Sequence, residues 1–318
     1  MAKPSREPPQ ALLVTELWGL GDLALAVPFL RAAAAKTRVT LLAKPHAAPI
    51  LTRFAPGVDL VPLVAPWTAF RGKYRLHRWP WDVLGETVRL LRARHFDIGV
   101  SARPDPRDHA LLAASGARER IGFPRAGSGL LLNRQLPPPA GPHRADHWNA
   151  LAAELGWTPD TPASASARTG RRIVMHVGAA QPVRRWPRER FEEVAARFRA
   201  MGWQVDIIDD DFTDLEGLLD RIAAADRFVG NDSGPGHLAA LLGVPTFTIF
   251  GPQLPELFAP RHPGSRWIEG APCPYKPCRD YCRFPEPNCL LAVTPGAVLG
   301  AAEAWLSQEQ PAPRAAVP

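Results

Sequence analysis

The strongest constraint on the fold is a pattern that occurs in both halves of the chain. A short apolar stretch at residues 11–15 ends in a glycine turn, a helical stretch follows, and residues 38–43 form a second apolar stretch. Residues 172–176 begin the same pattern again. A strand, a helix and a second strand form the repeating unit of a parallel sheet. We therefore expect an α/β fold with two Rossmann-like domains that face each other across a cleft.

The region between the two patterns indicates where the domains separate. Residues 157–170 are small, polar and rich in proline, which is typical of a linker. The predicted organisation is an N-terminal domain at 1–156, a linker at 157–170, a C-terminal domain at 171–307 and a disordered tail at 308–318. Further strands are predicted at 59–64, 98–101, 204–208, 227–229 and 245–250, and further helices at 83–94, 146–155, 187–201, 214–225 and 236–242.

Composition limits the class of protein without choosing a ligand. The apolar fraction of 46% and the charged fraction of 22% are normal for a globular chain, and the net charge is +7. This charge would suit a nucleic acid, a phosphorylated acceptor or an acidic membrane surface. No stretch is long and apolar enough to span a bilayer, and the first residues lack the apolar part of a signal peptide. We expect a cytoplasmic protein.

The first motif is the turn that ends the first strand, Gly19-Leu20-Gly21-Asp22. Glycines at a strand-to-helix turn allow a ligand to approach the backbone closely. A nicotinamide enzyme would place an acidic residue at the end of the second strand, but Lys44 stands there, so a dehydrogenase is disfavoured. Asp22 begins a helix, and its alternative interpretation is a helix cap.

The second motif runs from Gly230 to His237 and is dense in glycine, proline and polar residues. Ser233 and Gly234 begin a helix whose first N–H groups and dipole suit a diphosphate. His237 lies one turn further along the same face. The alternative is a capped helix with a buried histidine.

The third motif follows the strand at residues 172–176. A glycine turn at Gly178 precedes Arg184 and Arg185, and a proline then begins the next helix. Two guanidinium groups at the edge of a cleft can hold phosphate oxygens in a bidentate manner. Because the chain is rich in arginine, a pair of solvated side chains is the alternative.

Together these strings resemble the pattern of glycosyltransferase family 9, the heptosyltransferases of bacterial lipopolysaccharide synthesis. That family has a strand leading to L-G-D, a later strand leading to H-x-G and K/R-x-W-P, and a third leading to N-D-S/T-G-x-x-H-L/A-A. Here the corresponding strings lie at residues 20–22, 176–187 and 231–239. The resemblance extends from Leu12 to Leu306 and implies the GT-B architecture of two Rossmann-like domains.

The resemblance also implies roles for individual residues. Asp22 is the general base, and Arg184 is a ligand of the donor phosphates at a position usually occupied by lysine. The residues implied to line the nucleotide-sugar site are Asp232, Ser233, Gly234 and His237. Three positions depart from the family pattern: Ala179-Ala180 replaces a hydroxyl residue, the loop after residues 207–212 is trimmed, and Glu16 stands where a basic residue is frequent.

The implied reaction is inverting transfer of a sugar, heptose from ADP-heptose, to an anionic, lipid-linked lipopolysaccharide-core or related glycan acceptor. No cofactor is expected for catalysis. An epimerase of nucleotide sugars on the same architecture, or a retired enzyme that serves in assembly, remains an alternative. A further alternative is a basic protein that binds nucleic acid and is stabilised by a metal ion. Against it, the basic residues are scattered and no nucleic-acid motif is present.

All four cysteines fall within one short segment, at Cys273, Cys278, Cys282 and Cys289. In a reducing compartment such a cluster indicates metal binding before disulfides. Four thiolates in a loop suit structural zinc or iron. The spacing contains no C-x-x-C pair, so buried free thiols are the alternative.

Residues 67–81 combine five aromatic residues with Arg71, Lys73, Arg75 and Arg78, and we call them the aromatic–basic segment. Interleaved aromatic and cationic side chains suit an anionic, amphipathic acceptor at the inner membrane. The alternative is a long loop that packs its tryptophans on the domain.

Overall fold

The computed structural model describes residues 9–159, 170–209, 214–278 and 281–307. The chain divides into two compact units, Met1–Asp160 and Thr161–Pro318. Most of the predicted linker, the predicted tail at 308–318 and part of the trimmed loop at 207–212 lie outside the described residues. Among the described helices, none combines the length and the apolar character needed to cross a membrane.

The N-terminal unit contains a parallel sheet in the order β3-β2-β1-β4-β5-β6. Its strands are β1 Ala11–Glu16, β2 Arg38–Ala43, β3 Val58–Pro62, β4 Ile98–Ser101, β5 Glu119–Gly122 and β6 Arg134–Gln135. Its α-helices are α1 Leu20–Ala34, α2 Ala47–Phe54, α3 Trp81–Ala93, α4 Pro106–Ala114 and α5 Arg144–Glu154. Every residue of β1 is buried because β1 lies inside the sheet, where side chains on both faces are covered.

The C-terminal unit contains a second parallel sheet, in the order β11-β10-β9-β7-β8. Its strands are β7 Arg172–His176, β8 Gln204–Ile208, β9 Arg227–Asn231, β10 Thr246–Phe250 and β11 Arg266–Glu269. Its α-helices are α6 Arg188–Ala200, α7 Leu215–Ala223, α8 Gly234–Leu241, α9 Pro255–Phe258, α10 Asn288–Leu291 and α11 Pro295–Leu306. Apolar side chains from α6, including Phe191 and Phe198, pack with α11 on the sheet.

The α/β fold with two parallel sheets is thus confirmed. The strands predicted at 38–43, 98–101, 172–176 and 204–208 have the predicted bounds. Pro187 is the N-cap of α6, so the helix begins one residue later than predicted and the proline lies just before the first turn and not within it. Five of the described α-helices were not predicted, namely α2, α4, α9, α10 and α11. Among them, α2 is short and interrupted by a proline, and α4 carries too few apolar residues for a clear helical period.

Candidate active site

The order of strands in the N-terminal sheet reverses between β1 and β4. Side chains beyond the carboxyl ends of neighbouring parallel strands meet at such a point, which is where α/β folds bind ligands. Asp22 follows β1 and Arg103 follows β4, and Arg103 Nη2 donates to Asp22 Oδ1 at 2.6 Å. Arg144, at the start of α5, places its Nε 3.8 Å from the same oxygen.

Asp22 also caps its own helix. It occupies the third position of α1, and its Oδ2 accepts the N–H of Gly19 at 3.3 Å. The helix-cap interpretation is therefore realised by one oxygen, while the other oxygen takes part in the ion pair. A carboxylate held at both oxygens has a defined orientation.

Glu16 adds a second carboxyl group at the end of β1. It is 4% exposed, and it accepts the N–H of Trp18 at 3.1 Å. Burial, and then the charge of Asp22, raises the pKa of Glu16 to about 8. Burial lowers the pKa of Lys44, just after β2, and outweighs the charges of Asp22 and Glu16, which act to raise it. Burial also lowers the pKa of Arg144 to about 10, with Arg103 as the next cause.

Sequence reasoning did not identify Arg103 and Arg144 as neighbours of Asp22. Arg103 stands two residues after β4, so a polar residue just beyond the end of a strand was the available signal. Its use required the strand order, because β1 and β4 are far apart in sequence and adjacent in the sheet. Arg144 comes from a helix start and offered no comparable signal.

The C-terminal sheet has its own reversal, between β7 and β9, and Asn231 joins the loops that follow them. Its Nδ2 donates to the carbonyl oxygens of Val177 at 2.9 Å and Gly178 at 3.2 Å. Its Oδ1 accepts the N–H of Trp186 at 2.9 Å. A Cβ at Gly230 would lie 3.1 Å from the carbonyl oxygen of His176, so a larger residue there would require a small shift at the ends of the two strands.

The two predicted phosphate arginines have different local partners. Arg184 Nη1 lies 3.4 Å from Asp232 Oδ2, and the Asp232 side chain is buried. Arg185 Nε donates to the carbonyl oxygen of Ala179 at 2.7 Å. The side chain of Arg184 is therefore oriented by a carboxylate, whereas the side chain of Arg185 is hydrogen-bonded to the backbone of the loop after β7.

The start of α8 brings the remaining predicted donor residues to the same end of the sheet. Ser233 is the N-cap of α8, and its hydroxyl makes no capping hydrogen bond. Its Oγ lies 3.5 Å from His176 Nδ1. Gly234 begins the helix, and His237 within it is 7% exposed, as the buried-histidine alternative also required.

The aromatic–basic segment of the N-terminal unit shows features of both interpretations. Trp67 is buried in an apolar core cluster of this unit, and the partly buried Trp79 packs against that cluster. Some aromatic residues of the segment therefore do pack on the domain. Residues Arg71, Arg75 and Arg78 are exposed and Lys73 is half-buried. The exposed apolar side chains of the segment are Phe70, Tyr74, Leu76 and Trp81.

The four cysteines line one cavity of about 200 Å³ in the C-terminal unit, together with Tyr275, Arg283 and Phe284. Burial, and then the neighbouring Cys273 and Cys282, raises the pKa of Cys278. In the part of the chain that is described, no three histidine, cysteine or acidic side chains converge closely enough to hold a metal ion as they stand. The donor chemistry suits zinc or iron, and binding would require the thiols to turn towards each other.

Comparison with solved structures shows a shared fold. A family 9 glycosyl transferase from Veillonella parvula is 21% identical, with a TM-score of 0.73 over 93% of this chain and 97% of that chain. E. coli ADP-heptose LPS heptosyltransferase II is 21% identical, with a TM-score of 0.67 over 93% and 98% of the two chains. E. coli heptosyltransferase WaaC with ADP is 18% identical, with a TM-score of 0.70 over 93% and 99%.

Comparison of sequences places the family signature in the C-terminal unit. No curated protein matches the chain at a significant level. Residues 212–285 match the family model described as glycosyltransferase family 9 (heptosyltransferase), and this range contains β9, the start of α8 and three of the four cysteines. The family model and the shared fold together confirm the resemblance of this chain to glycosyltransferase family 9.

Proposed function

We propose that this protein is an inverting glycosyltransferase that moves heptose from ADP-heptose to a lipopolysaccharide-core or related glycan acceptor. The observation that carries the proposal is the convergence of Arg184 with the start of α8 at the reversal of the C-terminal sheet. The start of α8 lies within the range that matches the family model. Two solved structures with the same fold are heptosyltransferases, one of them with ADP, which supports this nucleotide as the donor's leaving group.

The C-terminal unit would bind the donor. Arg184, Arg185 and the first N–H groups of α8 supply positive charge for a diphosphate, with Gly178 and Gly234 allowing close approach. Asp232 is anionic and would repel phosphate, so its role in the proposal is to orient Arg184. Ser233 and His237 supply polar groups for the remaining oxygens of the donor.

The N-terminal unit would supply the base. Asp22 takes the proton of the acceptor hydroxyl, whose oxygen forms a bond to the anomeric carbon. The bond between that carbon and the diphosphate oxygen breaks, and the electron pair leaves with ADP. Attack from the face opposite the leaving group inverts the anomeric configuration. Arg184 and α8 stabilise the charge that grows on the diphosphate, so the proposal assigns no catalytic role to a metal.

The aromatic–basic segment is the proposed acceptor surface. Exposed cations beside exposed aromatic and aliphatic side chains suit a phosphorylated, lipid-linked glycan at the cytoplasmic face of the inner membrane. The cysteine cavity is the proposed site of a structural zinc or iron ion, held by Cys273, Cys278, Cys282 and Cys289, with no part in the transfer.

The reaction products test the proposal. Incubation with ADP-heptose and a lipopolysaccharide-core acceptor is expected to release one ADP for each glycosylated acceptor, and NMR of the new linkage is expected to show inversion. ADP-heptose that is consumed without acceptor, with a changed sugar still attached to ADP, would instead identify an epimerase. If calorimetry detects no binding of ADP, the proposed donor site at the start of α8 would be contradicted.

A further inference from the structure

Asp108, on α4, is a fully buried carboxylate that the proposed reaction does not use. Its Oδ1 accepts the indole N–H of Trp67 at 2.8 Å, and its Oδ2 accepts the indole N–H of Trp18 at 3.1 Å. A buried carboxylate is costly for stability unless it is hydrogen-bonded, and an apolar side chain at such a position costs less. The hydrogen bonds of Asp108 connect two tryptophans that lead to different parts of this unit.

One of these tryptophans begins the aromatic–basic segment. The ring of Trp67 lies 5.4 Å from that of Trp79, which in turn lies 5.4 Å from the ring of Trp81. Trp81 is exposed, so a continuous row of rings leads from the surface to the buried carboxylate. A ligand that shifts the segment would act on Asp108 through this row.

The other tryptophan leads to the proposed base. The guanidinium of Arg103 lies over the ring of Trp18 at 4.2 Å, and the same guanidinium donates to Asp22. Arg103 Nε is buried and makes no hydrogen bond with the described residues. The ring of Trp18 therefore contributes directly to where the guanidinium lies, and hence to the orientation of the Asp22 carboxylate.

We propose that Asp108 is a positioning residue that links the aromatic–basic segment to Asp22: it holds Trp18, and through Trp18 the ion pair of Arg103 with Asp22, in an arrangement that depends on Trp67. This inference rests on the proposed function, in which the segment binds the acceptor and Asp22 is the base. It assigns to the acceptor surface a second task, which is to set the geometry of the base.

Kinetics of single and double variants test the link. Asp108→Asn keeps the volume but replaces one acceptor oxygen with an N–H donor, and Trp67→Phe keeps a ring while removing the indole N–H. Each is expected to lower kcat by about tenfold, since displacements of about 1 Å can cost up to ~10²-fold, while the KM for ADP-heptose and the affinity for ADP stay unchanged. Because both act through one contact, the double variant is expected to be no slower than Asp108→Asn alone.

The matched control is Trp148→Phe, which alters a buried tryptophan that packs on Phe29 in the same unit. It is expected to keep the wild-type kcat. If Asp108 has only a structural role, then Asp108→Asn, Trp67→Phe and the double variant would each have a lower unfolding temperature, and kcat per folded molecule would be unchanged. Normal kcat in Asp108→Asn, or independent losses from Asp108→Asn and Trp67→Phe, would overturn the proposal.

A spectroscopic measurement separates this proposal from the proposed function. The indole N–H resonance of Trp18, assigned with Trp18→Phe, is expected to move in Trp67→Phe because the two indoles share Asp108, and to stay in place in Trp148→Phe. An unmoved Trp18 resonance would overturn the link even in an active enzyme. A wild-type protein that transfers no sugar would contradict the proposed function, and the resonance would still decide whether the link exists.

Discussion

Arg103 donates to Asp22 at 2.6 Å although the two residues are 81 positions apart in the chain. They meet because β1 and β4 are neighbours in the sheet and both strands end at the same edge. The guanidinium binds one oxygen of the carboxylate, while the other oxygen caps the helix. The two contacts give the carboxylate a defined orientation, which the proposed role as a base requires.

Asp22→Asn is expected to lower turnover by about 10²–10⁴-fold, the range for loss of a general base. The amide oxygen can still accept the N–H of Gly19, so the fold and the affinity for ADP are expected to stay near those of the wild type. Steady-state kinetics and calorimetry with ADP measure the two quantities. Asp146→Asn is the matched control, because Asp146 holds the same position in α5 and its carboxylate accepts the N–H of His143 at 3.0 Å. Equal turnover in the two variants would leave Asp22 with only the role of a cap.

Arg184→Ala is expected to weaken ADP binding by about 1.5–3 kcal/mol, the value of a charge-assisted hydrogen bond. His237→Ala is expected to weaken it to a similar extent. Arg188→Ala is the control, since Arg188 is exposed on α6 and pairs with Glu192 and Asp209. Titration calorimetry that gives all three variants the wild-type affinity would show that the diphosphate binds elsewhere.

Residues 11–15 and 172–176 show why the sheets could be predicted and parts of the site could not. A buried parallel strand is a run of apolar residues, and a glycine turn marks its end, so local sequence suffices. The pairs of Asp22 with Arg103 and of Asp108 with Trp67 depend on which strands and helices become neighbours. The buried carboxyl group of Glu16 was visible only as a departure from the family pattern, because burial is a property of the folded sheet.

Glu16→Gln is expected to change how stability depends on pH. The pKa of Glu16 is raised from 4.5 to about 8 in the folded protein, so the folded state holds this proton more tightly than the unfolded chain. Its ionisation therefore costs no stability below about pH 4.5, and stability falls as the pH rises towards 8. Thermal unfolding of both proteins across this range is expected to show the variant gaining relative to the wild type as the pH rises. The pKa of Asp108, raised to about 6, acts in the same direction in both proteins and cancels in the difference. Parallel curves would contradict the burial of an ionisable Glu16.

Purified protein is expected to contain about one zinc or iron ion per chain, held by four thiolates. Elemental analysis measures the metal, and a chelator is expected to lower the unfolding temperature because bound metal stabilises only the folded state. Cys282→Ser is expected to reduce the metal content. Metal-free protein that is folded and has four titratable thiols would establish the cavity as a cluster of free cysteines.

Neutralising the four cations of the aromatic–basic segment together is expected to abolish binding to anionic vesicles at low salt. Each basic residue near an acidic membrane contributes about 1 kcal/mol, and the attraction falls off within a Debye length of about 10 Å at 0.1 M salt. The residues to be changed to Gln are Arg71, Lys73, Arg75 and Arg78. Turnover on a lipid-linked, phosphorylated acceptor is expected to fall, and ADP affinity is expected to stay unchanged because the proposed donor residues belong to the C-terminal unit.

The control for this variant removes the same charge elsewhere, at the exposed residues Arg188, Arg197, Arg199 and Arg266 of the C-terminal unit. Both variants have a net charge lower by four, so a difference in vesicle sedimentation reports the location of the charge and not its amount. If both lose vesicle binding equally, the attraction is a property of the net charge of +7. If neither loses it, the segment serves mainly to pack Trp67 and Trp79 on the domain, and the acceptor surface lies elsewhere. Because the aromatic and basic side chains of the segment are exposed, we expect only the segment variant to lose vesicle binding. We expect the same variant to lose turnover on the lipid-linked acceptor and to keep its affinity for ADP.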